Sequence, residues 1–366
     1  MKNFAESIDY ELIKELGMSS QNTNTGQYIL QDDQLYFSNP LIEGLELWPI
    51  SYAFEKYKWL KERTLWMDFC KKGDSKKSLT KRNGYFIYVH KKIKIPYLCQ
   101  TALLMLSPVV AQSPYNIIFI DDGASLNLIT GCAGRPDAYQ ARHVSFSEIH
   151  VGKNATFTHH MMHKWNENIC AENQSAAVVE ENGTLISNHV IMKSAKKLVS
   201  NPITWLEGKN ATAKYHTVIL SDPFTSADLG GVIYLNAENT GAEIVHRAVS
   251  AGGDIIQRGL LVGNAPCKAH VDCAGMVFES KQLGNIASVP GLKSLHPDAM
   301  MSHEASIGKI SPKQVEYLRC RGISELDAIS MIVRGFINSG VPGIGPEIDD
   351  FISEIVSIAG HGEGAK

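Results

Sequence analysis

The chain has no C-x-x-C pair, Walker loop, dinucleotide fingerprint or G-x-S-x-G elbow, so it shows no evident catalytic engine of its own. Charge of one sign is also missing. Against 38 Asp and Glu stand 35 Lys and Arg, and the resulting net charge of −3 gives no electrostatic footprint for nucleic acid. No apolar run approaches the length of a membrane span. The N-terminal MKNFAESIDYELIKELG carries acids where a signal peptide would carry an apolar core. These absences predict a cytoplasmic chain, away from membranes.

What is present fits an ordinary soluble protein: 366 residues, 44% hydrophobic and 20% charged, with ample length for a real core. Seven cysteines (Cys70, Cys99, Cys132, Cys170, Cys267, Cys273, Cys320) are spread singly. In a reducing compartment each defaults to an unpaired thiol, and spacing does not say which of them is reactive or metal-binding. Four N-x-[ST] sequons, at Asn154, Asn173, Asn182 and Asn210, read as turn chemistry in a chain without a secretory signal.

Three zones follow one another. Residues 1–83 read as a helical N-terminal region and linker, with helical apolar spacing over Ile50–Cys70 and a lysine-rich polar run from Lys71 to Gly84. Residues 84–296 read as strands, among them GYFIYVHKKIKIPYL, NIIFID and HVSFSEIHVG. A small turn signature recurs there: DDGASLNL, VGKNATFT, EENGTLIS, EGKNATAK, NTGAEIVH and APCKAHVD. Aligned on Ala or Thr at 124, 155, 184, 211, 242 and 269, the copies lie 31, 29, 27, 31 and 27 residues apart. Such a period means stacked supersecondary units. With short β-rich arms, the expected architecture is a mainly β, right-handed parallel β-helix, and a β-sandwich is the rival.

Residues 297–366 read as a C-terminal helical region. Ser311-Pro312-Lys313-Gln314 has the form of an N-cap, first-turn proline and capping-box glutamine, and Gly322 stops that helix. Ser324 with Asp327 opens a second helix, whose stripe is Ala328, Ile329, Ile332, Val333 and Phe336. A last helix is expected from Pro346, carrying Ile348, Phe351, Ile352, Ile355 and Val356. The apolar surface exceeds what a solenoid cap needs, which hints at a partner.

Three clusters could carry chemistry. In His159-His160-Met161-Met162-His163 strand alternation sends His159 and His163 one way and His160 the other, a pattern better read as structural histidines in the wall. In His270-Val271-Asp272-Cys273, His270 and Asp272 share one face and Cys273 lies on the other with Val271. Cys273 is either a shielded thiolate for iron or sulfur or, the stronger reading on spacing alone, a small buried hydrophobe. His303-Glu304 puts imidazole beside carboxylate, but Ile307 stands where a zincin needs its second histidine. With a thiolate the pair forms a reasonable iron set, and the plainer reading is backbone bonding at the junction with the helices.

The run LHPDAMMSHEASIGKISPKQVEYLRCRGISELDAISMIVRGF resembles the C-terminal signature of the SufB/SufD family of iron–sulfur cluster assembly scaffolds. YNIIFIDDGASLNLITGCA, EIHVGKNATFTHHMMHKW, VVEENGTLISNHV, LVGNAPCKAHVDCAGMVF and ASVPGL follow the family's order, so the resemblance covers about residues 84–340. It implies a β-helix flanked by helices, a dimer through the β-helix with itself or a paralogue, and an ABC-type ATPase, SufC, held by the C-terminal helices. It further implies a transient iron–sulfur cluster, no directly bound nucleotide, no enzymatic activity of the chain's own, and transfer to apo-proteins.

By the same resemblance Cys273, His303 and Glu304 are the cluster ligands, with His270 and Asp272 less certain and no catalytic residue. Cys132 and Cys267 stay open. Glu304 is SufB-like, since SufD-type members read Ser-His-Gly there. The SufB-type N-terminal cysteine cluster is missing, and Val179 stands at a second β-helix cysteine position, which puts a sulfur relay through the chain in doubt and fits a compact homodimer. The alternatives are a SufD-like partner without a cluster and a β-helix carbohydrate enzyme, which would need paired carboxylates across turns.

Overall fold

The structure is a computed structural model that describes residues 8–19, 24–63, 82–278, 284–338 and 352. Strands alternate along the chain between two sheets of ten and twelve strands, joined almost entirely by parallel pairing. Lys94–Met105, Ser125–Gly134, Thr156–Lys164, Thr184–Lys193, Thr212–Ser221, Thr240–Ser250, Cys267–Val277 and Ala299–Lys309 stack in one sheet. The intervening strands, such as Gln140–Val151 and Gly253–Gly263, stack in the other. The result is the expected parallel β-solenoid, of about eight turns. Inward side chains from both sheets meet in one continuous core running from Tyr28 to Ile286.

The corners explain the repeat. Lys92, Gly123, Asn154, Asn182, Asn210 and Asn239 all sit in the left-handed backbone region, with φ between 55° and 70°. Asn tolerates that conformation better than other residues with a Cβ, so it recurs where each turn bends. The corners bond to one another: the backbone N–H of Asn154, Asn182 and Asn210 donates to the carbonyls of Glu181, Lys209 and Glu238 in the next turn. Side-chain amides extend the ladder, Asn182 Nδ2 donating to Asn154 Oδ1 at 3.1 Å and Asn210 Nδ2 to Asn182 Oδ1 at 2.8 Å. Three of the four sequons are therefore corner asparagines, whereas Asn173 lies within the strand Ile169–Val179. At Gly208 the turns approach so closely that a Cβ would fall 1.9 Å from the backbone nitrogen of Glu181.

The observed register corrects the sequence alignment of the copies. The residues stacked on Ser125 are Thr156, Thr184, Thr212, Gly241 and Lys268. The true equivalents of Ala124 are thus Ala155, Gly183, Ala211, Thr240 and Cys267, and the copies aligned at 184, 242 and 269 slip by one or two residues. Position in a turn is set by the left-handed corner and its backbone bond, not by the small residue that follows.

Both ends also differ from expectation. The first 83 residues are not merely helical, because Gln27–Gln31, Gln34–Ser38 and Leu45–Pro49 add strands to both sheets. Two of these pairings are antiparallel, so the N-terminal end of the stack is finished by hairpin-like pairs. The expected long helix over 50–70 is seen as two short pieces, Ile50–Lys56 and Leu60–Arg63; the remainder, with Cys70 and the lysine-rich run to residue 81, lies outside the described residues. The helices at the other end begin only at Pro312, since Ala299–Lys309 is still a solenoid strand. Ser311 occupies the N-cap position without a side-chain cap bond, so the expected capping box does not form. Ser324 does cap Glu325–Asn338, accepting from the Asp327 backbone N–H at 3.1 Å. The helix expected from Pro346 lies outside the described residues except for Ile352, which is buried with Val333 and Ile337.

A buried polar set runs through the interior. Thr101 and Thr130 hydroxyls lie 2.9 Å apart, Thr130 lies 2.9 Å from His159 Nε2, and His163 Nδ1 lies 2.9 Å from His189 Nε2. Burial pushes His143 and His246 down to about 4, His159 and His189 to about 3, and His163 well below 6.5. His159 and His163 are thus buried structural histidines, as the alternation implied, while His160 faces outward and bonds to Asn188.

Unfolding exposes these rings, and below pH 6.5 the unfolded chain takes up protons that the folded chain refuses. Stability is therefore full above pH 6.5 and falls as the pH drops toward 4. Urea unfolding of a His159→Gln variant should show a pH slope shallower by about one proton, roughly 1.4 kcal/mol per pH unit. An unchanged slope would contradict the buried neutral ring.

Candidate functional site

The strand Cys267–Val277 lies between Thr240–Ser250 and the last strand Ala299–Lys309, parallel to both. Alternation places Val271 and Cys273 inward, each 0% exposed, and His270 and Asp272 outward. The burial of Cys273 raises its thiol to about 12, the Asp272 carboxylate adding to the rise and Arg247 opposing it. In register, Val271 pairs with His303, Asp272 with Glu304 and Cys273 with Ala305. His303 therefore belongs to the inward rows with Cys273, while Glu304 extends the outward row of Asp272.

This placement corrects the expectation for His303-Glu304. The pair does not mark a junction with the helices; it sits mid-strand, and both residues are exposed because Ala299–Lys309 is an edge strand. The structure brings Cys273 and His303 to one face of the sheet and Glu304, Asp272 and His270 to the other. Among the described residues no group of three or more His, Cys, Asp or Glu is arranged to hold a metal ion. His270 Nδ1 lies 2.8 Å from Ser302 Oγ, and Asp272 is held by Arg247, so both outward candidates on this strand already have partners.

The two undecided cysteines lie elsewhere. Cys267 is inward on the same strand, ~20 Å of strand length from Cys273. Cys132 sits five strands away in the stack, ~24 Å. Burial raises both thiols, that of Cys132 to about 12.

Two residues were missed in the sequence. Arg247 is buried; its Nη2 donates to Asp272 Oδ2 at 2.6 Å and its Nη1 to the His246 carbonyl at 3.0 Å, while Nε has no hydrogen-bond partner among the described residues. Its guanidinium lies 5.8 Å from the ring of Phe336, on the C-terminal helix Glu325–Asn338 that packs against Thr240–Ser250. His246, the register partner of Cys273, lies inside the solenoid, its Nε2 2.9 Å from the Arg258 carbonyl of the opposite sheet. The available signal was a His-Arg pair set within the apolar run from Ile244 to Val249.

Breaking the Arg247–Asp272 pair from one side leaves a buried guanidinium uncompensated. Asp272→Ala should lower the unfolding free energy by about 3 kcal/mol, read by urea denaturation. A loss below about 1 kcal/mol would mean a solvated surface bridge instead.

The family profile described as "SUF system FeS cluster assembly, SufBD core domain" matches residues 104–336. An "Iron-sulfur cluster assembly SufBD family protein" of Archaeoglobus fulgidus is 34% identical over 359 residues, covering 96% of this chain and 95% of the relative. A protein of the same description from Methanothermobacter thermautotrophicus is 30% identical over 337 residues, with 90% and 82% covered. One from Pyrococcus horikoshii is 28% identical, with 96% and 81% covered. A core-domain match over residues 104–336, with relatives alike over most of their lengths, makes this chain a member of the SufBD family of iron–sulfur cluster assembly proteins.

Proposed function

We propose that the chain is a SufB-type scaffold, without enzymatic activity of its own, on which a transient iron–sulfur cluster is built and passed to apo-proteins in the cytoplasm. One observation carries the reading: Cys273 lies a single strand beneath the open end of the solenoid, where the edge strand exposes His303 and Glu304. Its register partner on that strand is the small residue Ala305. The absence of a closed ligand set among the described residues fits a half-site that a second chain completes.

The open end is also where a second copy fits. Ala299–Lys309 and Gly284–Ser294 end their sheets, each pairing on one side only among the described residues. An unpaired edge offers a row of backbone donors and acceptors, and two identical edges satisfy each other about a twofold axis. Val289, Leu295, Met300 and Ile307 are exposed there and supply apolar area. Cys273, His303 and Glu304 of both copies then converge on one seam.

The C-terminal helices support control by a SufC-type ABC ATPase. Tyr317, Leu326 and Met331 are 59%, 51% and 53% exposed on Pro312–Arg319 and Glu325–Asn338, a surface for a partner. The same second helix touches Arg247 through Phe336, and Arg247 holds Asp272 beside Cys273 and Glu304. A shift of the helix driven by ATP binding reaches the site by way of this ion pair and biases which arrangement of the seam is populated.

Anaerobic reconstitution with iron and sulfide, in the presence of the ATPase partner, tests the proposal. Absorption and electron-paramagnetic spectra should show a cluster in the wild type that both Cys273→Ser and Glu304→Ala lose while staying folded. A cluster that survives both changes would sink the assignment and favour a SufD-like partner role.

A further inference from the structure

We propose that His246 is a ligand residue of the same site, its Nδ1 and the Cys273 Sγ forming a soft two-point seat for a divalent iron ion inside the solenoid. The inference rests on the reading of Cys273 given above. It begins from an anomaly of accounting. His246 Nε2 lies 2.9 Å from the Arg258 carbonyl, and a carbonyl can only accept, so the ring proton is on Nε2. Nδ1 then carries a lone pair, and that atom is buried with no hydrogen-bond partner among the described residues. Buried polar atoms are almost always paired, so an orphaned acceptor needs an explanation.

Its position supplies one. His246 and Cys273 are register partners on adjacent parallel strands, ~4.8 Å apart along the stack, and both are inward. An imidazole with one nitrogen donating to a backbone carbonyl while the other keeps its lone pair is the arrangement that orients metal-binding histidines. Imidazole and thiolate together suit ferrous iron, which accepts mixed nitrogen and sulfur donors.

The seat is reached from the open end. From inside to outside come His246, Cys273 and the edge strand with Ala305 and His303, the last being one strand over and two residues along from Cys273. The binding step balances simply. Ferrous iron forms bonds to Sγ and Nδ1, the S–H bond of Cys273 breaks, and one proton leaves to solvent; no electron is transferred. Remaining coordination positions go to water, sulfide or the donors of the seam. His246 therefore belongs to the first stage, in which iron is held before sulfide arrives.

Titration of the full-length protein with Co2+ under anaerobic conditions reads the seat directly, because thiolate–cobalt bonding gives a near-ultraviolet charge-transfer band. The wild type should bind one Co2+ per chain with that band, and X-ray absorption at the cobalt edge should show one sulfur and at least one imidazole scatterer. His246→Ala should weaken binding about tenfold or more and remove the imidazole signal, with the band retained at saturation. Should His246→Ala misfold, the wild-type edge spectrum still decides, since a bound cobalt with sulfur and no imidazole overturns the inference. A band lost in Cys273→Ser but unaltered in affinity in His246→Ala overturns His246 alone. Binding that persists unchanged in Cys273→Ser overturns the reading of Cys273 itself, and the seat with it.

Discussion

In-register parallel pairing is the constraint from which the rest of the molecule follows. Each strand satisfies its backbone only by lying on the strand of the turn before, and every turn must therefore return to the same place after 28 to 31 residues, as the corner positions 92, 123, 154, 182, 210 and 239 do. Side chains then form continuous rows along the stack. One such row reads Thr101, Thr130, Met161, His189, Thr217, His246, Cys273 and Ala305. Most rows are filled by Leu, Ile, Val and Ala, and this one is polar for much of its length. Rows rather than sequence neighbours are the functional unit of a solenoid, which is why residues 246, 273 and 305 belong together.

The same constraint makes the two ends unequal. At the N-terminal end antiparallel strands finish both sheets, and at the other the edge strands Gly284–Ser294 and Ala299–Lys309 stay unpaired among the described residues. An exposed edge is usually blunted by charge, proline or a covering helix. Here Ala299–Lys309 offers Met300, Ile307 and a row of small residues, and the described C-terminal helices lie on the face of the sheet instead of over its end. On the proposed reading a second chain covers this edge, and Cys273 lies one strand below it.

The repeat, the solenoid and the helix starts at Pro312 and Glu325 were legible because each rests on local chemistry: asparagine at bends, alternation in strands, proline and serine at helix starts. Alternation also separated Cys273 from Asp272 correctly. The strands at 27–49 were not legible, since their pairing partners lie in remote turns and no local pattern announces them. The location of His303-Glu304 was misread for a related reason. Ala299–Lys309 is exposed along almost its whole length, so it lacks the apolar alternation by which the other strands declare themselves. Arg247 and His246 were missed because their meaning comes from the neighbouring turns, where Asp272, Arg258 and Phe336 meet them.

A scaffold that holds its key thiol buried gains a specific advantage on the proposed reading. With burial raising Cys273 to about 12, the sulfur is neither a nucleophile nor an easy target for oxidants at neutral pH. Only a metal ion that replaces the proton outright makes it a ligand. The Arg247 guanidinium beside Asp272 opposes the rise, so any displacement of Arg247 changes how readily the thiol yields its proton. Phe336 places that guanidinium under the C-terminal helix. On the proposed reading, a shift of that helix would reach the sulfur through a single buried cation.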